Sequence, residues 1–341
     1  MGQQEVHPVV HTDFLIVRLI KKLAQKGLSP KVTSIVIGTI FFFTNVVMIY
    51  FYYIFDMVMI GYLIAVAWLF VGPYLIYTAG IMVDELWFDL HPLIGATQVA
   101  NLQFLEKRLH GGGHLFISVL AYFALLVLIS PILIELPLPL LVLHLVTWWF
   151  LANHGSIGVW GVLNLIHLVL QISNIPFGLN PLHRDRFGGM GFLGTFCIRG
   201  TLMFSTGALM IPLASHVGLH VIIHPIIQPI IISVPFLFSA LVALSFFIPL
   251  FALNKAAVTA KHKMLDKAGT QYCQIYEKYE KAPSLNLGIK ALVVQGYFDE
   301  VEDMKEYPWD PKIVLKLLSA ILFPVVLALF EHQILLFLGV I

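Results

Sequence analysis

The chain has 341 residues, of which 59% are apolar and only 11% are charged, and its formal net charge is +1. About a quarter of the residues are charged in a soluble globular protein, so this composition excludes a water-soluble fold. No Asp, Glu, Lys or Arg lies between Gly200 and Asn254, and Glu135 is the only one between Leu109 and His183. The sequence therefore predicts an all-α fold, a polytopic helical bundle of the cell membrane.

Seven apolar segments are each long enough to cross about 30 Å of hydrocarbon, which takes roughly 17 to 25 helical residues. They cover residues 32–53, 58–83, 114–134, 137–153, 191–214, 226–252 and 314–340. Linkers with Lys or Arg alternate with linkers that have neither, and basic linkers face the cytoplasm. We therefore expect a cytoplasmic N-terminus. Segment 154–176 would upset the alternation if it crossed the membrane, so we predict a helix along the cytoplasmic face, with a re-entrant helix as the alternative.

Beyond the sixth segment, an apolar stripe continues at helical spacing from Met264 to Tyr279, among Lys and Glu residues. Turn residues follow at 282–284, and a second helix is predicted around 287–305, which together give a helical hairpin. We therefore divide the chain into a membrane domain (1–254), a cytoplasmic helical hairpin (255–312) and a C-terminal membrane helix (313–341).

Three histidines four residues apart, His216, His220 and His224, are the strongest candidate metal ligands. On a helix this spacing places the imidazoles on one face, where they can share a transition metal such as zinc. Pro225 disfavours helical geometry at His224, and no carboxylate lies nearby to support the ligands. Interfacial histidines and a pH-sensing cluster are the alternatives.

The most polar segment leads into the fifth predicted span. It contains His183, Arg184, Asp185, Arg186, Gly188 and Gly189. A glycine-rich turn at a helix N-terminus presents free N–H groups and the positive end of the helix dipole, which suit an anion. Arg199 follows inside the span, where a guanidinium either reaches back to the interface or faces a polar cavity. We predict a substrate or ion site here, with close helix packing at the glycines as the alternative.

A small acidic group closes the second predicted span, where Asp84, Glu85 and Asp89 precede His91. Carboxylates with an imidazole can hold a divalent cation. A solvated helix end is the alternative.

Two further histidine patterns resemble those of known membrane proteins. The His-x-x-x-His pairs, of which His110 with His114 is one, resemble part of the pattern of membrane fatty-acid hydroxylases and desaturases, but the His-x-x-His-His box of those enzymes is absent. The separation of His154 and His167 resembles that of the paired haem ligands of membrane b-type cytochromes, but no second pair matches it.

These features favour an integral membrane channel or transporter, either for an anion or as a weakly selective pore, because the candidate groups are cationic and several spans contain Pro or Gly. A histidine-rich, metal-dependent membrane enzyme acting on lipid is one alternative. The other is a scaffold or assembly subunit without catalysis. The expected partners are the lipid bilayer and a second copy of the chain, through the hairpin and the glycine stripes. Nucleic acid is not expected, because the basic residues lie at membrane borders.

Overall fold

The computed structural model of the chain describes residues 15–52, 57–90, 113–133, 137–175, 179–211 and 227–305, with a few positions between 315 and 326. All regular structure within these residues is helical, which confirms the all-α class for this part of the chain. The helices are α1 (Leu15–Gln25), α2 (Pro30–Tyr52), α3 (Met57–Ala67), α4 (Gly72–Leu90), α5 (Gly113–Leu133), α6 (Leu138–Ser173), α7 (Gly191–Ser205), α8 (Ile227–Lys281) and α9 (Leu285–Glu302).

Among the described residues, four helical segments are long and apolar enough to cross a membrane. They are Pro30–Met48, Leu138–Ser173, Gly191–Met210 and Ser233–Lys281. The bent pair Gly61–Phe70 and Gly72–Leu90 makes a fifth if it is counted as one span. The predicted seven-span bundle is therefore not confirmed, and most of segment 314–340 lies outside the described residues.

The second predicted span, 58–83, is broken rather than continuous. A 3₁₀ turn, Trp68–Phe70, separates α3 from α4, and the helices on either side of the break are bent by 43°. Pro73 has no N–H to donate, and its ring crowds the preceding turn. The hydroxyl of Ser34 on α2 donates to the Phe70 carbonyl oxygen (2.8 Å) and accepts from the Tyr74 N–H (3.2 Å). Helix α2 thus supplies a hydrogen-bond partner to one backbone group on each side of the break.

Helix α6 is continuous over 36 residues, so the prediction of a separate helix beginning at 154 is wrong. At 1.5 Å per residue it is about 54 Å long, well beyond the thickness of the hydrocarbon core. Two polar side chains in the second half of α6 bond to their own helix. Ser156 donates to the carbonyl of Ala152 (2.6 Å), and Asn164 donates to that of Trp160 (2.7 Å).

Within the described residues, the two largest clusters of buried apolar residues both include residues of α6. One joins α3, the 3₁₀ turn and the first half of α6 around Leu69 and Leu151. The other joins the ends of α4 and α6 to α7, to α8 and to the loop before α7, around Leu168 and Leu193. These four residues are almost fully buried.

Helix α1 is amphipathic. Ile16, Val17 and Ile20 are buried against side chains of α2, α4 and α6, whereas Arg18 and Lys21 are exposed. An amphipathic helix with a basic outer face is typical of a membrane–water interface.

Helix α8 continues for 55 residues, well past the apolar segment 226–252, and α9 packs back against it. Ser284 caps α9, because its hydroxyl accepts a hydrogen bond from the Leu287 N–H (3.4 Å). At the other end, the Lys261 ammonium donates to the carbonyl oxygens of Glu302 (2.7 Å) and Met304 (2.8 Å). A cation at the end of a helix satisfies carbonyls that have no partner within the helix.

Candidate functional site

The glycine-rich loop before α7 already holds an anion, which is its own Asp185 carboxylate. Oδ1 accepts from the N–H groups of Phe187 (2.8 Å) and Gly189 (3.1 Å), and Oδ2 accepts from that of Gly191 (2.9 Å). His183 Nδ1 lies 2.8 Å from Oδ1. Burial raises the pKa of Asp185, but these hydrogen bonds outweigh burial and hold the pKa below its ordinary value. The backbone amides predicted to receive an external anion are therefore engaged.

The shape of this loop depends on backbone conformations that favour glycine. Arg186, Gly188 and Gly189 have positive φ angles of 57°, 65° and 93°. A Cβ on Gly188 would lie 2.7 Å from Met304 Cε and 2.9 Å from Leu179 Cβ, so glycine is required there. The Lys305 N–H donates to the Arg186 carbonyl (2.9 Å), which ties the loop to the end of the hairpin. The side chains of Arg184 and Arg186 are exposed.

Arg199 pairs with Glu85 of the acidic group, at 3.6 Å between Nη1 and Oε2. The two side chains are 57% and 59% exposed, so this contact is a surface ion pair on the outside of α4 and α7. The structure thus brings together two groups that the sequence analysis treated separately. Neither Arg199 nor Glu85 lines the cavity described below.

The predicted metal sites receive no support from the described residues, among which no three His, Cys, Asp or Glu side chains come together to hold a metal ion. The proposed zinc ligands, His216, His220 and His224, lie outside the described residues, as do His91 and His110. His114 lies in the first turn of α5.

A cavity of about 160 Å³ lies between α4, α6 and α7, where the two apolar clusters meet. Glycines from all three helices form part of its wall, namely Gly72, Gly80, Gly158, Gly161 and Gly200. A Cβ built on Gly161 would meet nothing within 4 Å, and one on Gly158 would touch only Phe204, at 3.9 Å. The missing side chains therefore account for part of the space.

The rest of the wall is almost entirely carbon. Trp68, Trp160, Phe196 and Phe204 contribute aromatic rings, and Leu, Ile, Val and Met side chains fill the intervals. The Trp68 Nε1–H donates to Thr206 Oγ1 (3.2 Å). An engineered apolar cavity of about 150 Å³ stays dry and takes up benzene, so this space suits an apolar guest of similar size.

His154 is the exception in this wall. Its side chain is packed between the rings of Phe150 and Trp68, with centroid separations of 4.4 Å and 6.1 Å. Nδ1 lies 2.7 Å from the Phe150 carbonyl oxygen, and Nε2 is buried without a hydrogen-bond partner among the described residues. His167, its suggested haem partner, lies on the same helix, whereas two helices must supply such a pair.

A second buried polar cluster, which the sequence analysis missed, joins α2, α3 and α6. The Tyr62 hydroxyl donates to Asn45 Oδ1 (2.7 Å), and Asn45 Nδ2 donates to Thr147 Oγ1 (3.2 Å). Tyr62 stacks on His144, with ring centroids 4.7 Å apart. The sequence does contain a signal for this cluster, because single polar residues stand inside the apolar segments 32–53 and 137–153. Polar groups inside a membrane are costly and often functional.

Comparison of the chain with known protein families, curated proteins and solved structures gives no match. Its own cavity and buried polar groups are therefore the basis for assigning a function.

Proposed function

We propose that the chain is an integral membrane transport protein that takes a small lipophilic molecule into the cavity between α4, α6 and α7. The observation that carries the proposal is the cavity itself, which is apolar and lies between helices that are apolar enough to cross a membrane. Burying an ion there without a partner would cost several kcal/mol or more. A neutral, lipid-soluble guest pays no such penalty.

Transport of an anion remains a prediction, but the described cationic groups do not favour it. Arg184 and Arg186 are exposed, Arg199 is paired with Glu85 at the surface, and the loop N–H groups are bound by Asp185. The cavity offers no cationic side chain to an anion.

The break between α3 and α4 supports a transport role because it adjoins the cavity. Trp68 and Gly72 belong both to the break and to the cavity wall. Broken helices are used in transporters to build sites within the membrane, and element ends can absorb hinge motions. A small change in the bend would alter the access of a guest to the cavity.

In this proposal, the N-terminus and the hairpin of α8 and α9 face the cytoplasm, as the positive-inside rule indicates. Cys273 is exposed on α8 and Cys197 is buried, and the chain has no other cysteine. A membrane-impermeant maleimide should therefore label Cys273 in inverted vesicles and not in right-side-out vesicles. The opposite pattern would reverse the orientation.

Binding can be tested with bromobenzene, whose heavy atom quenches the fluorescence of nearby tryptophans such as Trp68 and Trp160. We expect saturable quenching of the protein in lipid nanodiscs. Gly158→Leu should fill part of the cavity and remove the saturable component of the quenching. Gly269→Leu on α8 is the control and should retain that component, because nothing lies within 4 Å of a Cβ added there. The proposal would be contradicted if quenching in the wild type rises without saturation. It would also be contradicted if quenching is unchanged in Gly158→Leu.

A second candidate function, assembly with a second copy, is favoured by the uncovered apolar stripe of α9. The stripe consists of Leu285, Ile289, Leu292, Val293 and Tyr297, of which Leu285 and Leu292 are 83% and 69% exposed. These residues recur at helical spacing along one side of α9. Val301, four residues beyond Tyr297, continues that side but is buried against the rest of the chain. Two copies in one membrane share the same orientation, so identical stripes can meet around an axis along the membrane normal.

Disulfide cross-linking tests this second function. In a Cys273→Ser background, Leu292→Cys should give an oxidised dimer in the bilayer, and Lys290→Cys, an exposed position beside the stripe, should give less. Equal cross-linking at the two positions would indicate random collision rather than assembly.

A further inference from the structure

We propose that the molecule held in the cavity carries a hydroxyl group, which donates a hydrogen bond to Nε2 of His154; this inference rests on the proposed lipophilic guest. Among the residues of the cavity wall, within the described part of the chain, His154 alone has a buried side-chain nitrogen or oxygen without a partner. Its side chain is 98% buried, since only 2% is exposed. A buried polar atom without a partner is uncommon and calls for an explanation.

The tautomer of His154 follows from the partner of its other nitrogen. A carbonyl oxygen can only accept, so the 2.7 Å contact between Nδ1 and the Phe150 carbonyl places the proton on Nδ1. Nε2 of a neutral imidazole then carries a lone pair and no proton. It is therefore an acceptor. Nε2 has almost no surface open to a molecule in the cavity, so the imidazole must turn slightly toward the cavity when a hydroxyl of the guest donates to it.

The surroundings favour the neutral imidazole. The cavity wall contains no carboxylate, and the rings of Phe150 and Trp68 pack against His154. A charged imidazolium without a counter-charge is costly in an apolar site. A ketone or an ether of the same size would present only acceptors to Nε2, so it would leave the nitrogen unpaired.

The size of the cavity further limits the molecules that it can hold. Its volume of about 160 Å³ is close to that of the engineered cavity that takes up benzene, so a single six-membered ring fits. Trp68, Trp160 and Phe204 contribute aromatic side chains to the wall that can pack against such a ring. The ligand class is thus a lipophilic phenol or a ring alcohol, with any tail extending out of the cavity.

The test compares 4-bromophenol with 4-bromoanisole, which has a methyl ether in place of the hydroxyl. Both quench tryptophan fluorescence, so their affinities can be measured in nanodiscs on the full chain. A net hydrogen bond in a buried site corresponds to about a three- to tenfold preference for the phenol. His154→Phe should abolish this preference while both probes still bind. The ratio between variants cancels the difference in lipid partitioning between the two probes.

Two further variants keep the result interpretable. His154→Met fills the same space without a strong acceptor, and it replaces His154→Phe if that variant does not fold. His167→Phe, on the same helix but outside the cavity wall, should keep the wild-type preference.

The outcomes separate the two proposals. Two results would overturn the hydroxyl inference and leave the lipophilic guest in place. In the first, both probes bind the wild type without a preference for the phenol. In the second, the preference persists in His154→Phe and His154→Met. If neither probe binds saturably, both are overturned. A preference that is lost at position 154 and kept in His167→Phe establishes His154 as the residue that recognises the guest.

Discussion

Ser34 donates a hydrogen bond of 2.8 Å to the carbonyl oxygen of Phe70, at the point where the chain breaks between α3 and α4. The same hydroxyl accepts from the Tyr74 N–H on the far side of the break. One side chain of α2 therefore links the two ends of the broken helix, and it does so beside the cavity.

Ser34→Ala should destabilise the protein by about 1–3 kcal/mol, because Ser34 is fully buried and its loss leaves the part-buried Phe70 carbonyl and Tyr74 N–H without this partner. Thermal unfolding in detergent measures the effect. Ser173→Ala is the matched control, since the Ser173 hydroxyl donates only to the Leu170 carbonyl at an exposed position. An equal loss of stability in the two variants would show that Ser34 has no special role at the break.

Gly38→Ala should be more damaging than an ordinary change of glycine to alanine in a helix. A Cβ at residue 38 would lie 2.5 Å from the Phe70 Cα, so backbone would have to move. At Gly296, where nothing lies within 4 Å of an added Cβ, the same change should stabilise the helix by up to about 1 kcal/mol. Comparison of the two melting temperatures checks this. Stabilisation by both changes would mean that α2 does not approach the break closely.

Asp185→Asn should destabilise the loop before α7, because an amide nitrogen in place of Oδ2 would face the Gly191 N–H, and two donors cannot bond. We expect a loss of about 1–3 kcal/mol at neutral pH. Asp299→Asn, at an exposed position on α9, serves as the control. Denaturant unfolding measures both.

The Asp185 contribution should depend on pH in a defined direction. The pKa of Asp185 is lower in the folded protein than its ordinary value, so the folded state favours the ionised carboxylate. Its stabilisation is fully present above the ordinary pKa of about 4 and is lost as the pH falls through the lowered value. The difference in stability between wild type and Asp185→Asn should therefore shrink below about pH 4. A difference that grows on acidification would contradict the assignment.

Tyr62→Phe should cost about 1–3 kcal/mol, since it removes the donor to Asn45 Oδ1 at a fully buried position. A double-mutant cycle with Asn45→Leu separates this hydrogen bond from the packing of the ring on His144. The two changes together should cost less than the sum of the single changes. Simple additivity would show that the hydroxyl and the amide act independently.

Arg199→Gln distinguishes the lipophilic guest from an anion as substrate. Because the ion pair with Glu85 is exposed, its loss should change stability by less than about 1 kcal/mol. Saturable quenching by bromobenzene should be unchanged. In liposome flux assays, altered movement of chloride or phosphate in Arg199→Gln at unchanged stability would instead favour the anion transporter that the sequence suggested.

The helical hairpin was predictable because its signals are local. The stripe from Met264 to Tyr279 shows the helical period directly, and Pro283 and Ser284 stand where α8 ends and α9 begins. The break at Gly72 was not predictable from hydropathy, because residues 58–83 are apolar on both sides of it. Whether Gly72 and Pro73 bend a helix depends on a partner for the freed backbone groups, and Ser34 is distant in sequence.

The role of the polar loop also needed three-dimensional geometry. The glycines and arginines at 184–189 resemble an anion site in sequence, since backbone N–H groups bind any suitable carboxylate. Asp185 belongs to the same segment, and only its position relative to Gly189 and Gly191 shows that it fills the site itself.

The sequence by itself determined that the chain is helical and apolar, because composition and periodicity are properties of each segment and do not depend on its neighbours. Only the tertiary structure decided that α6 is one helix, that Arg199 meets Glu85, and that a cavity with His154 in its wall lies between α4, α6 and α7. A cavity is the space that several side chains leave unfilled, and that space exists only once the helices have packed.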